Sequence, residues 1–141
     1  MSNTAKMCYF CEDYNHVCMN DNGNFDSTLL QHIIKGIEEK KGLDIVALDL
    51  SGIPGAICKS FVLCNGNSGT QVEAIADSVI DEVRKGIGEK PWHVEGYTNK
   101  EWILIDFVDV VVHVFQPEIR DFYGLEELWA DAPSRHYDPQ Y

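Results

Sequence analysis

The sequence predicts a single α/β domain, a mixed β-sheet flanked by helices. Three observations predict it. Two stripes of apolar residues at helical spacing, within 29–37 and 72–83, alternate with short runs rich in β-branched residues. The chain has 141 residues, which suits one core large enough to stand without staples. Hydrophobic residues make up 45% of it, well above the range in which a chain stays disordered.

The elements follow in order. Residues 1–25 hold three of the five cysteines and show no sustained periodicity, so they read as an extension, partly disordered or loosely packed. From Asp26 the pattern sharpens. Leu29, Leu30, Ile33, Ile34 and Ile37 form one helical face, and Gly42 ends the helix. "DIVALDL" (44–50) is a strand, "SGIPGAICK" a loop or broken turn, and "SFVLCN" (60–65) a second strand. Val72, Ile75, Ala76, Val79, Ile80 and Val83 give the second helical stripe, stopped by Gly86, Gly88 and Pro91. "WHVEGY" (92–97) is a third strand. "EWILIDFVDVVVHVF" reads as two strands joined by a tight turn. Pro117 can open a short helix, and "LEELWAD" adds another turn or two. The domain thus spans 26–133, in the order α-β-β-α-β-β-β-α. Residues 134–141 read as a polar, frayed tail.

Charge narrows the function. The chain carries 23 acidic and 11 basic residues, a formal net charge of −12. Such a surface repels phosphate, which argues against direct nucleic-acid binding by a basic patch and favours a basic partner. No apolar run approaches the length of a membrane span, and the first 26 residues lack the pattern of a secretory or transit segment. A cytoplasmic protein follows, with Cys58 and Cys64 as reduced, buried thiols.

Three constellations are candidates for chemistry. The first is the loop Gly66-Asn67-Ser68-Gly69 between strand and helix. A P-loop needs Lys and then Ser or Thr at the helix start, and a dinucleotide fingerprint needs different glycine spacing. Ser68 and Gln71 instead have capping-box spacing, with the Ser68 hydroxyl accepting from the third-position N–H and the Gln71 side chain returning to the cap's own N–H. The second is Cys8, Cys11, His16 and Cys18, which could wrap a zinc ion but lack a knuckle's fourth spacing. A tail with incidental thiols is the favoured reading, and no metal or other cofactor is expected. The third is the hairpin. With Phe107 and Val108 as a two-residue turn, Asp106 faces Asp109, Leu104 faces Val111 and Trp102 faces His113. Ile103, Ile105, Val110 and Val112 then point into the core. The opposed acids need solvent, a cation or a basic partner. A covering helix within 119–129 could hide this face, or a partner could dock on it.

The stretches "GNSGTQVEAIAD", "VEGY", "EWILIDFVDVVVHVF" and "PEIRDFYGLEELWADAP" resemble the Iojap-related ribosomal silencing factors, from about Asp26 to Pro133. The resemblance implies a fold similar to that of nucleotidyltransferases without their catalytic acids. It implies a non-enzymatic protein that binds the large ribosomal subunit through a basic ribosomal protein on the intersubunit side. Such a protein hinders subunit joining and represses translation, and it can form a homodimer. Glu95, Trp102, Asp106, Asp109 and His113 are then the expected partner surface, oriented by Arg120 and Tyr123. The alternative is a nucleotide-binding or nucleotidyl-transferring enzyme using Ser68 with Asp106 and Asp109. The chain departs from the family pattern at Val108, where glycine or a small residue is usual. It departs again at Lys59 and Ser60, where an acid and an aromatic are common.

Overall fold

The computed structural model describes residues 25, 27–56 and 58–138. Cys8, Cys11, His16 and Cys18, with the proposed zinc site, lie outside the described residues.

Helix α1 (Thr28–Glu39) starts at Ser27, whose hydroxyl accepts from the Leu30 N–H at 3.4 Å. Its predicted stripe is buried: Leu29, Leu30, Ile33, Ile34 and Ile37. Strands β1 (Leu43–Asp49) and β2 (Ser60–Asn65) follow. Helix α2 (Gly69–Ile87) buries Val72, Ile75, Ala76, Val79 and Val83 on one face and ends at Gly88 in the left-handed region. The helices meet at Gly36, where an added Cβ would lie 2.7 Å from the Val79 Cα. The Gly36 carbonyl is used there, accepting from the Ser78 hydroxyl at 2.8 Å.

Then come β3 (His93–Glu95), β4 (Trp102–Asp106), β5 (Val110–Phe115), α3 (Pro117–Tyr123) and α4 (Leu125–Leu128). A last strand, β6 (Ser134–Tyr137), pairs antiparallel with β1. The sheet order is β3-β4-β5-β2-β1-β6, with β2 and β5 parallel and the other pairs antiparallel. This is the expected mixed sheet with one strand more. Residues 134–137 are not a frayed tail: their backbone is held by the outer edge of β1, and Asp49 N–H donates to the Pro133 carbonyl.

The two sheet faces are covered differently. On one, α1 and α2 bury Ile45, Ala47, Val62, Cys64, Ile103, Ile105, Val112 and Val114. On the other, α3, α4 and the 50–58 loop pack Ile119, Leu125, Trp129, Ile53 and Cys58 against Leu48, Phe61, Leu63, Val111 and Phe115. The predicted covering helix exists, but it is short and broken at Gly124.

The hairpin register differs from the expected one by two residues. Asp106 pairs with Val111, Leu104 with His113 and Trp102 with Phe115, not with Asp109, Val111 and His113. A shift of two leaves every side chain on its predicted face. The turn is centred on Val108, at φ 77°, with Asp109 N–H donating to the Phe107 carbonyl at 3.0 Å. An i to i+2 bond around a positive φ is the strained γ-turn, and a β-branched residue is poorly suited to it. Asp106 supports it by accepting the Val108 N–H at 2.7 Å. Val108 is exposed, so a glycine there loses little packing. Val108→Gly is expected to raise the unfolding free energy by about 1 kcal/mol after the entropy of glycine is subtracted. A higher urea midpoint at unchanged slope would be the readout.

Candidate docking face

The half of the sheet that α3 and α4 cover only in part is β3, β4 and the hairpin turn. Strand alternation sends Trp102, Leu104 and Asp106 to this side, beside His93 and Glu95 of β3. Their opposite neighbours, Ile103 and Ile105, are fully buried, so the orientation is fixed by the core.

Trp102 is the centre of the face. It is half-buried and stacks on Phe115 at 5.0 Å between ring centroids, with Tyr123 tilted against it at 4.8 Å. Its indole N–H donates to His113 Nδ1 at 3.1 Å. That bond runs diagonally across the hairpin, the reach expected of aromatic side chains. It places the His113 proton on Nε2, where no partner is found among the described residues. His113 itself is only 4% exposed, wedged edge-on to Phe61 at 4.7 Å. Burial pulls its pKa down to about 4, so the ring is neutral at pH 7. His113 therefore lies beneath the expected surface rather than on it.

The acids form the rim. Glu95 is exposed and accepts from His93 Nε2 at 2.5 Å. Asp109 is exposed, and Asp106 is partly buried. The Cys58 thiol sits between the hairpin and the 50–58 loop. Burial pushes its pKa up to about 11, and the charges of Asp106 and Asp109 push the same way. Cys58 and Cys64 are both free thiols.

Arg120 is a buried support. Its Nε and one terminal nitrogen grip Glu126 at 3.1 and 2.8 Å. The other terminal nitrogen donates to the Asp44 carbonyl and the Asn65 Oδ1. Tyr123 is half exposed at the edge of the aromatic face, beside exposed Phe122.

Ser68 is far from this face. β2 and β5 run parallel, with Ser60 opposite Val110 and Asn65 opposite Phe115. The acids flank the Val110 end, and Ser68 follows the Asn65 end, about five strand residues or roughly 17 Å away. The alternative enzyme site is therefore not assembled. Several of the loop's polar groups are also used within the fold. Ser68 Oγ accepts from Gln71 N–H at 3.2 Å, Gly66 N–H donates to Phe115 O, and Asn67 N–H donates to Gln71 Oε1. The Gln71 side chain thus returns one residue before the cap, not to it. Its amide nitrogen reaches the Lys40 and Lys41 carbonyls, so one residue caps α2 and ties down the end of α1.

Sequence reasoning missed Trp92 and His93. Trp92 is 78% exposed and anchored beside the hairpin by its N–H bond to the Asp106 carbonyl at 2.7 Å. A tryptophan just after Pro91, opening a strand too short to bury it, was the available signal.

Among the described residues, no group of three or more His, Cys, Asp or Glu is placed to hold a metal ion. Among the described residues, no helix is long and apolar enough to cross a membrane.

The comparisons agree with this architecture. A crystal structure of a protein from Chromobacterium violaceum superposes with a TM-score of 0.68 at 34% identity, covering 80% of this chain and 88% of that one. The ribosomal silencing factor of Halalkalibacterium halodurans is 43% identical over 106 residues, 75% of this chain and 89% of its own. That of Bacillus subtilis is 40% identical over 112 residues, 79% and 92% respectively. The family model described as "Ribosomal silencing factor during starvation" matches residues 25–140. With the fold, the hairpin and the aromatic face all falling inside the matched span, the chain belongs to the ribosomal silencing factor family.

Proposed function

We propose that the chain represses translation by binding the large ribosomal subunit through a basic ribosomal protein on the intersubunit side, so that the small subunit cannot join. It acts in the cytoplasm by occupancy and not by catalysis. The observation that carries this reading is the partly open half-sheet: aromatic and apolar at Trp102, Leu104 and Tyr123, and rimmed by Glu95, Asp106 and Asp109. An aromatic centre with a charged rim is how protein interfaces are built, and a net charge of −12 selects a basic partner. His113 and Arg120 serve from below, the first by fixing Trp102 and the second by fixing α3. A second copy of the chain could occupy the same face. Sedimentation equilibrium of the free protein tests that.

The test of the main reading is co-sedimentation with purified bacterial large subunits. Asp106 also caps the hairpin turn, so the variant should keep an acceptor there. Asp106→Asn with Asp109→Lys is expected to lose at least tenfold in binding at physiological salt, with an unchanged circular dichroism spectrum. Wild-type binding should itself weaken as salt rises. Undiminished binding by the double variant would remove these acids from the interface.

A further inference from the structure

We propose that the cavity between Trp92 and the hairpin turn is a socket for one arginine side chain of the partner. The proposal rests on the docking reading above and names the group that this part of the face receives.

The cavity is about 490 Å³ and is lined by Cys58, Trp92, Asp106, Val108 and Val111. Its walls are apolar except for one carboxylate. Trp92 is held in place by its backbone and not by its ring, which leaves the indole 78% exposed. One Asp106 oxygen is taken by the Val108 N–H, and the other has no partner among the described residues. Lys59 is not among the lining residues; with Asp109 it lines an adjoining hollow that shares Cys58 and Val108. Asp106 is therefore the charge a guest in this cavity meets.

Three kinds of guest can be compared. An apolar side chain would fit the walls but strip water from Asp106 and leave a carboxylate unpaired, which is unfavourable. An anion is repelled by Asp106 and by the charge of the whole chain. A cation on a long apolar stem satisfies both parts. Guanidinium suits the site better than ammonium, because it is planar, less strongly hydrated, stacks on indole and can fork onto a carboxylate. Trp92, the residue before β3, and Asp106, paired with His93 across the strands, supply those two surfaces side by side.

The test uses 15N NMR of the full chain, titrated with N-acetyl-arginine amide and, separately, with N-acetyl-citrulline amide. Citrulline keeps the shape and removes the charge. The Trp92 indole N–H and the Val108 and Val111 amides are expected to shift with arginine at least three times as far as with citrulline. Trp92→Leu, which keeps an apolar wall, should abolish the Val108 and Val111 response, and Asp106→Asn should reduce it to the citrulline level. Equal responses to both probes, or shifts confined to other regions, would overturn the proposal. Co-sedimentation separates the two readings. Trp92→Leu should weaken large-subunit binding five- to tenfold. Wild-type protein that responds to arginine but does not sediment with large subunits would overturn the ribosomal reading and leave the socket standing. Wild-type protein that sediments without an arginine response would do the reverse.

Discussion

Arg120→Ala is expected to lower the unfolding free energy by about 3 kcal/mol, because it strands buried acceptors and opens a cavity together. Arg120 is 7% exposed and spends its guanidinium on three elements at once. It forks onto Glu126 of α4, donates to the Asp44 carbonyl at the start of β1, and donates to Asn65 at the end of β2. Asp44 sits at φ 51°, beside a shift in the β1–β2 register between Leu43 and Val46. The guanidinium thus pins an irregular stretch of β1. Asn65 is locked from its other end by donating to Asp44 Oδ2 at 3.0 Å. Removing the arginine leaves the part-buried Asp44 carbonyl and the buried Asn65 oxygen without donors. Glu126→Gln should cost much less, about 1 kcal/mol or under, since that side chain is 40% exposed and water can replace the charge contact. Arg120→Lys should fall between, keeping the charge but losing the fork. Urea unfolding of the three variants gives the order directly. A loss under about 1 kcal/mol for Arg120→Ala would mean that water takes over the abandoned acceptors, and Arg120 would then not be what holds α3 to the sheet.

What could be read from the sequence was what local chemistry decides. Ser68 and its helix were legible because an N-cap lies within three residues of what it caps. The helical stripes were legible because burial has the helix's own period. The Gln71 contacts were half legible: its return to the loop is local, but its reach to Lys40 and Lys41 needed the spatial neighbour. β6 was illegible for a similar reason. Ser134, Arg135, His136 and Tyr137 carry no apolar pattern, and their strand exists because β1 offers an unpaired edge. The hairpin faces were correct and the register was not. Alternation fixes which side a residue takes, whereas the turn fixes its partner, and a valine at φ 77° is not a turn that sequence preferences suggest. The candidate site shows the same division. Trp102, Asp106, Asp109 and Glu95 fall on the open half of the face. His113 shares their side of the sheet but is closed over by Trp102 and Phe61, a matter of depth that strand alternation does not encode.

Between pH 6.5 and about 4, His113 alone is expected to remove about 3 kcal/mol of stability. The sign follows from where the proton binds. In the unfolded chain the ring takes up a proton near its ordinary value of 6.5, and in the folded chain burial delays uptake to about 4. Within that window the unfolded state binds more protons, so acid favours unfolding. Above the window neither state is charged, and below it both are, so the effect is flat at each end. Geometry gives the same direction. Nδ1 accepts from the Trp102 indole at 3.1 Å, and protonating it would set two donors against each other. His113→Gln keeps an acceptor and cannot titrate, so the difference between wild type and variant isolates this one group from the other titrations of the chain. That difference, measured by urea unfolding, should rise with pH from 4 to 6.5 and then level off. A difference constant across that range would show that the folded protein accommodates a charged ring. The Trp102 N–H would then not depend on His113, and the aromatic face would have to be held by the Phe115 and Tyr123 stacking alone.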